Sequence, residues 1–200
     1  MTTTARRTAR ETQRLATRER LFDAAIAEFK RTGVAGADVG AIVGEAQVAH
    51  GTFFFHFPTK EHVVAELGQR EEARMATELE RFLATPRDLE STLREVLRLT
   101  TALERRVGRV LFSEMLGLYF SPRRPELKLW PEHPLIARTV VEFERGFDSG
   151  DLAREPEPAN GATFFFFGLY GLLSVYDRSP QRSHMLDQLV TVVLRGVETR

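Results

Sequence analysis

Between Thr17 and Leu67 the chain has room for three short helices and the start of a fourth, and the third is about two turns long. Apolar residues first recur at helical spacing, as Leu21, Phe22, Ala25, Ile26 and Phe29, after a candidate N-cap at Thr17 and before Gly33. Asp38 then caps a second helix whose inward face is Val39, Ile42, Val43 and Ala46. After the connection Gln47-Val48-Ala49, a third helix runs from about His50 to Phe55, and Pro58 stops it. Thr59 caps a long fourth helix, with Glu61 in its first turn, where a carboxylate favours the helix dipole. A two-turn helix cannot build a core of its own. The pattern predicts a segment held outward by its neighbours.

That is the logic of a helix-turn-helix, whose second helix lies in a DNA major groove. The run Gly51-Thr52-Phe53-Phe54-Phe55-His56-Phe57-Pro58-Thr59-Lys60-Glu61 closely resembles the N-terminal domain of the tetracycline-repressor (TetR) family, where G-T-L/F-Y-x-H/Y-F-x-S/N-K-E is common. The resemblance covers about 50 of the 200 residues. Helical spacing along the whole chain predicts an all-α protein of about nine helices, and the resemblance implies a three-helix DNA-binding domain with a C-terminal ligand-binding and dimerisation domain. It also implies DNA contacts from Thr17, Arg18, Gln47, Ala49, His50, Gly51, Thr52, Phe54, His56 and Lys60. Chemistry suits several of these. Gly51 would let backbone approach DNA closely. Thr52 offers a hydroxyl for phosphate and a methyl for thymine. Lys60, at a helix start, would hold a phosphate with nearby amides. Phe53 and Phe57 are expected to pack inward.

Several positions depart from the family's habit. Gln47 stands where Gly is usual in the turn. Ala49 replaces the Ser or Thr that caps the third helix, a loss of about 0.5–2 kcal/mol of helix stability. Phe54 replaces a Tyr whose hydroxyl reaches phosphate, worth about 0.5–1.5 kcal/mol. His50 replaces a common Lys, and Gly40 a base-reading Arg. Residues 1–20 carry six arginines against Glu11 and Glu19, a net +4 on a chain of zero net charge. The expectation is a basic, flexible arm over residues 1–16, which either compensates for the lost contacts at DNA or merely keeps the chain soluble.

Composition is ordinary for a globular protein, 42% hydrophobic and 28% charged. Without cysteine, disulfide scaffolds, thiolate zinc sites and cysteine nucleophiles are excluded. No secretory h-region follows Met1, so a cytoplasmic address is expected. His56 and His62 are spaced i, i+6 across Pro58, unlike a one-faced metal pair, and no nucleophile elbow, P-loop or dinucleotide motif occurs. Neither a metal, a cofactor nor a catalytic residue is expected. Glu71, Glu72, Glu78 and Glu80 read as a solvated face beside arginines.

The second half is also helical. Thr85-Pro86 is a candidate start and Gly108 a candidate break. Phe112, Met115, Tyr119, Trp130, Phe143, Phe147, Phe166 and Tyr170 are either core or the wall of an apolar effector pocket. The stretch 161–176, with Phe164 to Phe167, is too short to span a membrane and apolar all round. The last helix shows Leu186, Leu189, Val190, Val193, Leu194 and Val197 at i, i+3, i+4, i+7, i+8 and i+11. Phe165, Gly168, Leu169 and Leu172, with Leu186, Leu189, Val190 and Val193, are therefore expected in a four-helix homodimer interface.

The expected organisation is an arm (1–16), a DNA-binding domain (17–60) and an effector and dimerisation domain (61–200). Such a dimer would present two recognition helices about 34–36 Å apart to a palindromic double-stranded operator. The resemblance further implies that a small apolar or aromatic effector would shift the fourth helix like a pendulum. Two other classes stay open: a ligand-binding or adaptor protein that has lost DNA binding, and a helical enzyme with an aromatic pocket.

Overall fold

The structure, a computed structural model, describes residues 8–121, 133–153 and 157–197. The fold is all-α. Among the described residues the helices are α1 (Ala9–Gly36), α2 (Val39–Glu45), α3 (His50–His56), α4 (Lys60–Phe82), α5 (Leu89–Val107), α6 (Arg109–Tyr119), α7 (Pro134–Asp148), α8 (Pro158–Val175) and α9 (Pro180–Val197). They divide into two compact units. The first holds α1, α2, α3, the start of α4 through Glu66, and α6; the second holds the rest of α4 with α5, α7, α8 and α9.

In the first unit, α1 starts well before Thr17. Thr8 is its N-cap, and a reciprocal capping box joins the Thr8 side chain to the Glu11 amide and the Glu11 carboxylate to the Thr8 amide. Residues 9–16 are therefore helix rather than arm, and Thr17 is an interior, half-buried helix residue rather than a cap. The physical reason is local: Ala, Arg, Glu, Gln and Leu are good helix formers, and a Thr-x-x-Glu signature precedes them. Residues 1–7, with Arg6 and Arg7, lie outside the described residues. Gly33 breaks the helical path with φ 74°. The buried side chains of α1 are Leu21, Phe22, Ala24, Ala25, Glu28, Phe29 and Val34. Helix α6 packs on α1 and buries Leu111, Phe112, Met115 and Leu116.

Two interactions fix the C-terminal end of α3. The Phe57 ring packs on Phe22 (6.5 Å between centroids) and on Phe53 (5.9 Å), and both Phe53 and Phe57 are fully buried. Arg18 covers the other side, its guanidinium 4.5 Å from the Phe57 ring centre and paired in a fork with Glu66 of α4. One arginine thus ties α1, the end of α3 and α4. It also acts on His56, whose pKa is lowered first by burial and then by the Arg18 and Arg14 charges.

In the second unit, α5 begins at Leu89 rather than at Thr85-Pro86. Asp88 supplants Thr85 because its carboxylate accepts from the Ser91 amide at 2.8 Å. Ser91's hydroxyl and then its amide hold that carboxyl below its ordinary range. Gly108, at φ 86°, separates α5 from α6 as expected. Helix α8 packs on α7 and α9. The contact with α9 depends on Gly168, where a Cβ would fall 2.5 Å from Leu189 Cδ1. A buried pair joins α5 to α9: Arg182 donates to both Glu104 carboxylate oxygens, at 3.1 and 2.8 Å, and Arg178 adds a contact at 3.3 Å. Burial would raise the Glu104 pKa, but Arg182 and Arg178 outweigh it and hold the carboxyl below its usual range.

Two predictions follow from the first unit. Gln47 lies between α2 and α3 at φ 53°, a left-handed conformation that costs a non-glycine residue about 1–2 kcal/mol. Gln47→Gly is expected to stabilise the protein by about 1 kcal/mol, read as a rise of about 2–4 °C in melting temperature. An unchanged or lower midpoint contradicts the strain. Arg18→Met keeps the stem and removes the charge, and is expected to cost about 1–2 kcal/mol. It should also move the His56 pKa upward, short of its ordinary value because burial persists. A depressed histidine pKa favours the fold above the ordinary imidazole range and works against it as pH falls. The variant should therefore lose less stability on acidification than the native protein, measured by denaturation alongside an NMR titration of the imidazole.

Candidate nucleic-acid interface

Helix α2 begins where the Asp38 carboxylate accepts from the Gly40 amide at 2.8 Å, and buries Ile42 and Val43. The turn closes through two backbone bonds, Gln47 N–H to Gly44 O (3.1 Å) and Val48 N–H to Val43 O (3.0 Å). Ala49 takes the N-cap position of α3 and, as its methyl requires, makes no side-chain capping bond. Phe57 ends α3, its amide donating to Phe53 O at 2.8 Å, and Pro58 follows.

With Phe53 buried, the outward residues of α3 are His50, Gly51, Phe54 and Phe55. Phe55 is 72% exposed and Phe54 49%. The Phe54 ring packs edge-on against Phe53, at 5.3 Å, and near His50, at 5.9 Å. Thr52 and His56 are half-buried. A Cβ at Gly51 would meet nothing within 4 Å. The folded chain therefore does not require glycine at that site, and a close approach from outside remains a physical reason for it.

The flanking cations are used differently from the expectation. Arg18 serves the internal pair with Glu66. Lys60 donates to Ala35 O at 3.0 Å and Ala37 O at 3.2 Å, satisfying carbonyls at the end of α1. Arg14 stands exposed on α1. Beside Lys60, Thr59 Oγ1 lies 3.0 Å from His62 Nδ1. Glu61 is held below the usual carboxylate range chiefly by the Thr59 side chain.

The expected pocket residues fall in both units. Phe112 and Met115 are buried and Tyr119 half-buried in the first; Phe143, Phe166 and Tyr170 are buried and Phe147 half-buried in the second. Trp130 lies outside the described residues. In the second unit Phe166 packs on Phe165 (5.5 Å) and Tyr170 (5.7 Å). Burial, and then the Glu72 charge, push the Tyr170 hydroxyl well above its ordinary pKa. Glu72 is not on a solvated face. It is 5% exposed, and His133 Nδ1 lies 2.7 Å from its Oε2. Charge periodicity concealed this pair, because the partner sits 61 residues away, at the start of α7.

The residues expected in a dimer interface differ in exposure. Phe165, Leu169, Leu186 and Val190 are buried within the chain, and Gly168 is occupied by the contact with Leu189. Leu172, Leu189 and Val193 are half-buried. The apolar side chains that α8 and α9 leave outside are Phe164 (61%), Phe167, Val175 (76%) and Val192 (65%). Helix α8 is apolar all round, so hydropathy could not say which side the chain itself covers. No described helix is long and apolar enough to cross a membrane. Among the described residues no group of three His, Asp or Glu side chains is placed to hold a metal.

Comparison with known proteins agrees with the N-terminal geometry. Residues 21–67 match the family model described as bacterial regulatory proteins, tetR family. The chain is similar to the HTH-type transcriptional regulator AcrR of Shigella flexneri, 35% identical over 94 residues. That match spans 46% of this chain and 43% of the relative, less than half of each. The fold is similar to that of Thermus thermophilus FadR, a TetR-family transcriptional repressor solved with lauroyl-CoA, with a TM-score of 0.76 at 23% identity over 92% of this chain and 96% of that one. It is also similar to Bacillus subtilis FadR solved with stearoyl-CoA, with a TM-score of 0.67 at 15% identity over 90% and 99%. Over residues 21–67, which hold its helix-turn-helix, the chain is similar to the TetR family of bacterial regulatory proteins.

Proposed function

We propose that this protein is a transcriptional regulator, a repressor, that binds a palindromic DNA operator as a homodimer and releases it when a small apolar or aromatic effector binds. The observation that carries the reading is α3: a two-turn helix with two buried anchors and an outward face of His50, Gly51, Phe54 and Phe55, bare at Gly51. Thr52, Gln47, Ala49 and His56 border that face. Arg14, exposed on α1, offers phosphate a cation, and Lys60 keeps one of its three ammonium hydrogens beyond the two carbonyls it serves.

The outward apolar side chains of α8 and α9 support the dimer. Four large apolar residues stand in water on one pair of helices, and a second copy presenting the same face would cover them isologously. The effector reading draws on the aromatic interior of the second unit and on two structural relatives solved with acyl-CoA thioesters, which carry long apolar chains. Effector and operator would oppose each other through one coupling free energy of about 1–3 kcal/mol.

Selection from random duplex DNA with the purified protein tests the reading. A palindrome with half-sites about one helical turn apart is the expected result. Failure to enrich any sequence contradicts it and favours an adaptor. Gly51→Ala separates fold from function. The added methyl meets nothing inside the protein and favours helix, so the melting temperature should hold or rise, by up to about 1 kcal/mol of stability. Operator affinity should nevertheless fall at least tenfold. Unaltered affinity would mean that α3 does not approach DNA at Gly51. For the dimer, Val175→Glu places a charge on the outward face and is expected to yield monomers by light scattering with helicity intact. A dimer that persists would move the interface elsewhere.

A further inference from the structure

Helix α3 carries no side chain of the kind that identifies a base by paired hydrogen bonds. Its residues are His50, Gly51, Thr52, Phe53, Phe54, Phe55 and His56, with no Arg, Lys, Asn, Gln, Asp or Glu among them. Guanine, adenine and cytosine are each read in the major groove by one of those absent types, whereas thymine is also read through its 5-methyl group by apolar contact. The outward face of α3 is suited to that contact. Gly51, Phe54 and Phe55 are spaced i, i+3 and i+4 and share one side of the helix. The fold does not require either exposed ring, because Phe53 and Phe57 already fill the core beneath α3.

We infer that Phe54 and Phe55 are specificity-determining residues and that they read thymine methyl groups. The open space at Gly51 would admit the base edge, and the rings would close on the methyl. This inference rests on the DNA-binding reading above and adds the chemical class of what is recognised. Each operator half-site is then defined by the positions of its methyl groups more than by a donor and acceptor pattern. His50 contributes at most single hydrogen bonds, which discriminate less than paired ones.

The test uses the full chain and the duplex enriched from random DNA. That duplex is resynthesised with deoxyuridine in place of thymidine, one position at a time in both half-sites. The change removes only the methyl. Binding is measured by fluorescence anisotropy at one salt concentration, because phosphate contacts set the absolute affinity. A buried methyl is worth a factor of about four. Symmetric replacement at a read position should therefore weaken binding about fifteenfold, and replacement elsewhere should not. Phe55→Ala or Phe54→Ala should bind more weakly yet no longer distinguish thymine from uracil at the position its ring contacts. Both rings are exposed, so the folded protein should survive, as circular dichroism would verify. Equal binding of thymine and uracil at every position by the native protein would overturn the inference and leave DNA binding intact. Full discrimination retained by both alanine variants would overturn it as well. A pool yielding no enriched duplex would overturn the DNA-binding reading and this inference with it.

Discussion

The burial of Phe53 and Phe57 beneath α3 is the constraint on which the reading head depends. A seven-residue helix is far below the length at which a helix persists alone in water. Its hydrogen bonds cannot offset the cost of nucleation, so tertiary contact must fix it. Two rings supply that contact, one at the fourth helical residue and one at the C-cap, and the second also rests on Phe22 of α1. Burying a phenylalanine side chain is worth about 1.5–3 kcal/mol. Two such anchors exceed the local penalties at the other end, where Ala49 offers no cap and Gln47 adopts a left-handed backbone.

Those penalties fall on the stretch that the DNA-binding reading brings against a duplex. Gln47 and Ala49 weaken the N-terminal end of α3, while the anchors and the Arg18 pair with Glu66 tighten the C-terminal end. Stability within the head is therefore uneven, firm at Phe57 and loose at Ala49. An N-terminal end held loosely in the free protein can gain contacts on binding, at the cost of the ordering entropy. The arginine that family resemblance assigned to phosphate instead serves as this internal clamp, and Lys60 similarly closes the end of α1.

Sequence made the head legible because its signals are local. Asp38, Pro58 and Gly33 act on their immediate neighbours, and the inward spacing of Phe53 and Phe57 follows from four residues of helix. The Thr8 capping box was equally local, but its polar surroundings looked like a mobile arm. What periodicity could not reveal were choices made between distant segments. Glu72 looks solvated until His133, 61 residues later, lies against it. Helix α8 is apolar on every side, so only the packing of α7 and α9 decides that Phe165 and Leu169 are inside and Phe164 and Phe167 outside. The buried Glu104 pair with Arg182 is hidden for the same reason, across 78 residues.

The second unit carries a further consequence of those distant choices. Glu72, His133 and Tyr170 are buried side chains with polar groups, and each comes from a different helix or its start. Burial, and then the Glu72 charge, keep the Tyr170 hydroxyl protonated. Buried polar groups penalise any rearrangement that separates them without replacing their bonds. The interior of the second unit is therefore not a uniform apolar mass that can slide freely. It contains the Glu72 and His133 pair, whose separation would leave buried polar atoms without their partners.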